Sequence, residues 1–432
     1  MRRSSIAVSL ALLGLSSIPL SAAPAVPPAL SPDLQAFYVD LHQHPELSLH
    51  EEKTAAKIAE RLRQAGFEVT TGVGGTGVVG VLRNGPGPTV LLRTELDALP
   101  VEEKTGLPYA STVRVKNDAG ADVPVMHACG HDVHMTALVG TAAAMARAKD
   151  RWRGTLVFIG QPAEEVIRGA KAMLADGLFT RFPKPDFAVA LHDTPRLPAG
   201  KVGFTSGFTL ASSDSVDLTI FGKGGHGAAP QTTVDPIVIA ARTVLALQTI
   251  VSRENNPLDP AVVTVGSIHG GTKHNIIPDE VKLQITVRSY RDEVRQRLLA
   301  AIERIARAEA AAAGAPKEPA FKVIESTAAT YNDPQLTARI AATLRRALGD
   351  DNVVEMGPEM ASEDFSEYGH AGVPAVTWSL GAAFPEKLKE AQAAGKELPS
   401  LHSALFAPDR DPTIATGVEA ETAVLLDLLG KP

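Results

Sequence analysis

Apolar runs rich in valine, isoleucine and leucine punctuate the first half of the chain, at Val78 to Leu82, Thr89 to Leu92, Thr155 to Ile159 and Phe187 to Leu191. Helical stretches separate them. Runs that do not alternate with polar residues predict strands buried on both faces, which belong to a largely parallel sheet with helices on each side. Polar clusters then follow the runs, as Arg93-Thr-Glu-Leu-Asp97, Gly160-Gln-Pro-Ala-Glu-Glu165 and His192-Asp193. In open α/β sheets ligands bind outside the carboxyl ends of the strands, so the three clusters are expected on one rim.

The pattern changes beyond about Ser206. Strands at Val216 to Phe221, Ala261 to Ile268, Glu280 to Ser289 and Phe321 to Ile324 alternate with helices from about Asp235 to Ile250 and Arg291 to Ala313. This β-α-β-β-α-β order predicts a ferredoxin-like α+β unit inserted over 211–326. The first domain then comprises 27–210 and 327–432, a mixed α/β fold with helices on both faces of a largely parallel sheet. Its return contributes a helix from Pro334 to Leu348, the Ala361 to Phe365 loop, a strand from Ala375 to Leu380 and Leu401-His-Ser403. The polar, lysine-rich stretch 386–399 is expected to be mobile, and the connections near 206–211 and 325–332 to be flexible. A chain of 432 residues exceeds what one core accommodates.

Chemistry concentrates in Met126-His-Ala-Cys-Gly-His-Asp-Val-His134, which gathers three histidines, a carboxylate and the single cysteine into nine residues. Taken alone, each is an ordinary core or surface residue. Together, a thiolate and imidazoles two residues apart suit zinc or a first-row neighbour, and Cys129 and His131 are candidate ligands. The residues from Asp132 to about Ala148 are small and apolar, so a helix is expected to hold them rigidly.

The first 23 residues carry Arg2-Arg3, an apolar run from Ile6 to Leu15 and small residues suited to cleavage after Ala23 or Ala25, the pattern of a secretory signal peptide. The run is too short for a membrane anchor. Export, to a periplasm or outside the cell, is therefore expected. Losing two arginines takes the formal charge from -7 to about -9, which argues against nucleic acid and anionic membranes as partners and for a small-molecule substrate. A lone cysteine has no internal disulfide partner, and the neighbouring Gly-His favours a metal ligand.

Glu164 and Glu165, in extended or turn backbone, point in different directions, so one can bind metal while the other faces a water. A carboxylate beside a water acidified by metal is the usual base for amide or ester hydrolysis. The alternative is a solvated pair at the start of a helix near Val166. His402 is a candidate final ligand from far along the chain.

From about residue 34 to 425 the chain resembles the M20 metallopeptidase family, in the amidohydrolase branch that includes aminoacylase-like, hippurate hydrolase-like and auxin-conjugate hydrolase-like enzymes. The resemblance rests on Asp97-Ala-Leu-Pro100, Met126 to Asp132, Gln161-Pro-Ala-Glu-Glu165, Gly222-Lys-Gly-Gly-His226, Asp235-Pro236, Asn275-Ile-Ile-Pro-Asp279, Ser362-Glu-Asp-Phe365 and Leu401-His402. It implies two divalent ions per chain, zinc or manganese ahead of nickel or cobalt, bound by Cys129, His131, Glu165, His192 and His402. It implies Glu164 as the base and Asp97 as an acid near the ligands. It further implies a homodimer through the insert, whose hinge motion brings His226 toward an active site as an oxyanion donor. Asn275 and Arg288 are candidates for holding a substrate carboxylate, which the planar guanidinium matches.

The chain departs from the branch twice. Glu95 stands where an aspartate is usual, leaving open whether it reaches the metals. Asp193 and Thr194 follow His192 where an apolar or aromatic residue is more common. The resulting expectation is a metal-dependent hydrolase of N-acyl amino acids or short peptides with a free carboxylate, or an exported carboxypeptidase or dipeptidase of the same family. Two other classes compete: a cysteine-nucleophile hydrolase using Cys129 without metal, and an exported binding protein without catalysis, against which the intact acid pair and ligand set count.

Overall fold

A computed structural model describes residues 30–430. The leader over 1–23 lies outside the described residues. The larger sheet has eight strands, in the order Glu68–Val73, Gly77–Asn84, Gly154–Gln161, Thr89–Glu95, Phe187–Pro198, Ala375–Ala383, Val202–Phe204 and Val353–Glu355. Its centre is parallel: Thr89–Glu95 pairs in parallel with Gly154–Gln161 and Phe187–Pro198, and the latter with Ala375–Ala383. Antiparallel pairs lie toward the edges.

Successive residues of a strand face opposite sides, so a run apolar throughout feeds two cores. Val90 and Leu92 pack with the helices Pro32–Gln43, Glu52–Gln64, His131–Arg147, Pro334–Leu348 and Arg410–Leu429. Leu91 between them packs on the opposite face, with Met173, Leu178 and Tyr368. The helix Glu52–Gln64 illustrates the complementary rule. It buries Thr54, Ala55, Ile58, Ala59 and Leu62, an i, i+1, i+4, i+5, i+8 stripe, and leaves its charges in solvent.

The insert has its own core. Four antiparallel strands run in the order Ala261–His269, Glu280–Ser289, Ser212–Phe221, Ala320–Thr327, with the helices Pro236–Thr249 and Asp292–Ala312 packed on them. In Glu280–Ser289 the buried Val281, Leu283, Ile285 and Val287 alternate with more exposed residues, the period of a sheet covered on one face.

Two stretches expected to be mobile or flexible contain regular structure. Residues 386–399 contain the helix Pro385–Ala393. Proline at its first position, Glu386 in the first turn, a run of good helix formers and Gly395 at φ 62° beyond its end outweigh the lack of any buried residue. The connections to the insert are likewise paired, Gly207–Leu210 against Thr330–Asn332, and Phe208 packs on Tyr331 with ring centroids 5.0 Å apart.

Both tryptophans, Trp152 and Trp378, are buried in the larger unit, so their fluorescence reports its unfolding. Leu91→Ala should cost about 2–5 kcal/mol in a urea titration followed this way. Arg83→Ala, which removes an exposed pair with Glu68, should cost less than about 1 kcal/mol. Equal losses for the two would contradict a core centred on this sheet.

Candidate metal centre

The carboxyl ends of three central strands deliver the side chains. Thr89–Glu95 ends in Arg93 and Glu95 and leads to Asp97; Gly154–Gln161 leads to Glu164 and Glu165; Phe187–Pro198 carries His192 and Asp193 within the strand itself, longer than its apolar run suggests. The helix His131–Arg147 starts on the same rim after Gly130, whose φ of 74° and lack of a side chain are both required. A Cβ there would lie 2.2 Å from Asp193 Oδ2. Glu164 and Glu165 sit in a turn ahead of the helix Gly169–Ala175, not at a helix start.

The donor atoms converge. Cys129 Sγ lies 3.2 Å from His402 Nε2 and 3.6 Å from His192 Nε2. Glu165 Oε2 is 3.4 Å from His402 Nε2, and His131 Nε2 is 3.8 Å from Glu164 Oε2 and 3.9 Å from Glu165 Oε1. A tetrahedral ion with bonds of about 2.0–2.3 Å has ligand-to-ligand edges of roughly 3.3–3.8 Å, so this spacing fits divalent ions. His131 Nε2 and Glu165 Oε1 are buried with no hydrogen-bond partner, as ligand atoms awaiting a cation would be.

The tautomers also fit. His131 Nδ1 faces the Asp97 backbone oxygen at 2.8 Å, and His192 Nδ1 faces that of Asp193 at 2.9 Å. A carbonyl only accepts, so both Nδ1 atoms donate and both Nε2 lone pairs are presented to the cluster. Asp97 is a positioning acid. Its Oδ2 accepts from Ser48 Oγ at 2.6 Å and from the Glu165 backbone N–H at 3.0 Å, and its Oδ1 is 3.5 Å from His131 Nδ1.

Burial, reinforced by the charges of Glu165 and Glu164, pushes the Cys129 thiol well up. A shift in this direction disfavours the free thiolate that a metal-free cysteine nucleophile requires. Burial, with the charges of Glu363 and Glu165, likewise pushes Glu164 up; burial takes Glu165 to about 7 against the opposing influence of His131. Burial alone would lower His131, but its hydrogen bond to Asp97 and the nearby carboxylates raise it to about 10. The metal-free cluster thus holds protons that divalent ions displace on binding.

A second ring of residues lies beneath. Arg93, fully buried, donates to Glu95, to Glu363 Oε1 at 2.6 Å, to Asp364 Oδ1 at 3.2 Å and to Gln161 Oε1 at 3.1 Å. The surroundings of Glu95 bear on the question left open for it. One oxygen is taken by Arg93 and the other is 2.9 Å from His134 Nδ1, while its carboxylate also lies within 4.8 Å of ring nitrogens of His131, His134 and His192. His134 Nε2 accepts from the Asp193 backbone N–H at 2.8 Å. Sequence reasoning gave His134, Asp193, Glu363 and Asp364 no role. For His134 a signal existed, because a residue three after His131 shares its helix face.

A cavity of about 470 Å³ opens over the cluster and touches Cys129, Glu164, Glu165, His192 and His402. Arg288 of the insert forms part of its wall and donates to Ser362 Oγ at 2.8 Å. His226 and Asn275 are not in this wall. They lie side by side on an exposed ribbon of the insert, where Gly225–His226 pairs with Ile276–Ile277 and the Gly227 N–H donates to the Asn275 carbonyl at 2.9 Å.

Residues 91–394 match Peptidase family M20/M25/M40. The chain is 38% identical over 329 residues to the hippurate hydrolase of Campylobacter jejuni, covering 75% of this chain and 82% of that one. It is also 38% identical over 332 residues to thermostable carboxypeptidase 1 of Saccharolobus solfataricus, covering 76% and 80%. Among solved structures, the Bacillus subtilis YXEP protein, a dinuclear metal binding peptidase from the M20 family, superposes with a TM-score of 0.73 at 29% identity, over 92% of this chain and 98% of that one. With the fold, the clustered ligands and relatives matched over three quarters of its length, the chain belongs to Peptidase family M20/M25/M40 and is a hydrolase acting on amide bonds.

Proposed function

We propose that this protein is a two-metal amidohydrolase that cleaves N-acyl amino acids or short peptides bearing a free carboxylate. The observation that carries the reading is the convergence of Cys129, His131, Glu165, His192 and His402, with Glu164 at the edge of the same cavity. When bound, divalent ions supply Lewis acidity that polarises the amide carbonyl and acidifies a water. Glu164 takes that water's proton and delivers it to the nitrogen as the carbon–nitrogen bond breaks, so one carboxyl serves as base and then acid. Arg288 faces the substrate carboxylate across the cavity. His226 and Asn275, adjacent on their ribbon, arrive together as donors to the oxyanion when the insert moves or when a partner subunit supplies them.

The metal assignment is tested by composition and rate together. Purified protein should hold close to two ions per chain, and exhaustive chelation should abolish hydrolysis of N-acetyl, N-benzoyl or dipeptide substrates. Cys129→Ser and Glu165→Gln should lose metal. Glu164→Gln should keep metal and substrate binding while its rate falls by about 10²-fold or more. The reverse pattern for the two glutamates would exchange their roles.

The insert is proposed to form a homodimer in which His226 serves the partner's site. An inactive His226→Ala chain mixed with an inactive Glu164→Gln chain should then regain about a quarter of the wild-type rate, because half the dimers are mixed and each has one intact site of two. No recovery after demonstrated subunit exchange would restrict His226 to its own chain or remove it from catalysis.

Export to a periplasm or beyond the cell is proposed from the leader pattern over residues 1–23. The intact mass of protein recovered from the exported fraction should correspond to cleavage after Ala23 or Ala25. A full-length mass confined to the cytoplasm would refute it.

A further inference from the structure

The turn carrying Glu164 and Glu165 has unfavourable backbone, with Ala163 at φ 51° and Ile167 at φ 56°. Residues other than glycine held there cost about 1–3 kcal/mol each and persist only where their surroundings over-determine them. Contacts from outside the turn must hold it. Glu51 Oε1 accepts from the Ala163 N–H at 2.8 Å, and Asp97 from the Glu165 N–H. The most extensive hold comes from Asp364. Its Oδ1 accepts from Gln161 Nε2 at 2.7 Å, where the turn begins, and its Oδ2 accepts from the Ala170 N–H at 2.9 Å, where the turn ends.

The orientation of Gln161 is determined by its other partners. Its Oε1 accepts from Arg93 Nε at 3.1 Å and from the Tyr368 hydroxyl at 2.9 Å, which leaves Nε2 for Asp364. Asp364 itself is buried, and its carboxyl lies within 4.8 Å of those of Glu164 and Glu363. Two residues before it, Ser362 receives Arg288 from the insert, so one short loop touches both the insert and the base turn.

We propose that Asp364 is a positioning residue for the base, tying both ends of the Gln161–Ala170 turn and thereby fixing where Glu164 presents its carboxyl. The proposal rests on the reading of Glu164 as base.

Three variants test it. Asp364→Asn keeps shape and still accepts from Ala170, but sets its amide N–H₂ against that of Gln161, donor against donor. Gln161→Glu sets carboxylate against carboxylate. Joined in one chain, the two changes restore a donor to an acceptor between positions 161 and 364 at unchanged net charge, and the carboxylate introduced at position 161 still accepts from Arg93 and Tyr368, leaving only the longer 3.2 Å contact of Arg93 with position 364 unrestored. Small misplacements of a reacting group can cost about 10²-fold, so each single variant should lower kcat by about tenfold or more. KM should stay within about twofold and two ions should be retained; the double variant should recover to within about threefold of wild type. Hydrogen exchange over 161–170 should quicken in each single variant and return in the double one.

Wild-type turnover and exchange in the single variants would overturn the proposal, as would a double variant no better than either single one. Metal loss in place of slower turnover would assign Asp364 to metal retention instead, and also overturn it. Should wild-type protein hydrolyse none of the N-acyl amino acids or peptides, the assignment of Glu164 falls, while the exchange pattern still decides whether Asp364 holds the turn.

Discussion

The site is organised around one buried cation. Among the described residues Arg93 is the only arginine or lysine in the buried interior, and it is surrounded by acids. Glu95, Asp97, Glu164, Asp193, Glu363 and Asp364 are buried, and the side chain of Glu165 nearly so. Seven carboxyls against one guanidinium is a balance that a low-dielectric interior does not sustain when all are ionised. Arg93 meets part of the deficit and fixes Glu95 and Glu363 in place. The remainder falls on protons or on divalent ions, in keeping with the unpartnered His131 Nε2 and Glu165 Oε1.

That arrangement explains the placement of the ligands along the chain. Acids this close repel one another, so they must be held by elements stiffer than the repulsion. Central strands buried on both faces provide that stiffness at Glu95 and Asp193, and a helix does so at His131. Three further donors depend on strained backbone: Glu164 and Glu165, flanked by Ala163 and Ile167, and His402 itself at φ 65°. Strain of this kind persists where side chains outside the segment hold it. Glu51, Asp97 and Asp364 do so for the glutamates, and the Ala128 carbonyl, accepting from the His402 N–H at 2.8 Å, does so for the last ligand.

What the sequence made legible was short in range. Cys129 and His131 share one motif, and the apolar runs that precede Asp97, Glu164 and His192 identify their strands, so their convergence follows from the rule for strand ends. The insert was legible because its strands and helices have clean periods. Burial of charge was not. Arg93 reads as an ordinary polar residue at the end of a strand, and only the fold shows that a loop some 270 residues later closes over it. The helix Pro385–Ala393 was missed because nothing in it is buried, so its hydrophobic pattern is silent and only propensity and capping mark it. The paired connections were missed because their two strands are separated by the whole insert and leave no local signal. Glu95 was left undecided because its role depends on which of its oxygens is already occupied.

The insert's relation to the catalytic unit follows from how the two are joined. Each has a separate apolar core. The side-chain contacts between them are mostly polar: Arg168 with Glu325 at 3.9 Å and Lys171 with the Ser326 carbonyl at the surface, Arg288 with Ser362 in the cavity wall, and Thr327 with Ser366 in the interior. The exposed ones are worth about 0–1 kcal/mol each and are readily exchanged for water. The paired ribbon at Phe208 and Tyr331 is different, because an aromatic contact and a backbone ladder tolerate bending better than separation. The proposed approach of His226 and Asn275 to a site requires the insert to bend about this ribbon. That pair stands on an exposed ribbon outside the cavity wall, so its proposed role as oxyanion donor depends on that movement or on a partner subunit.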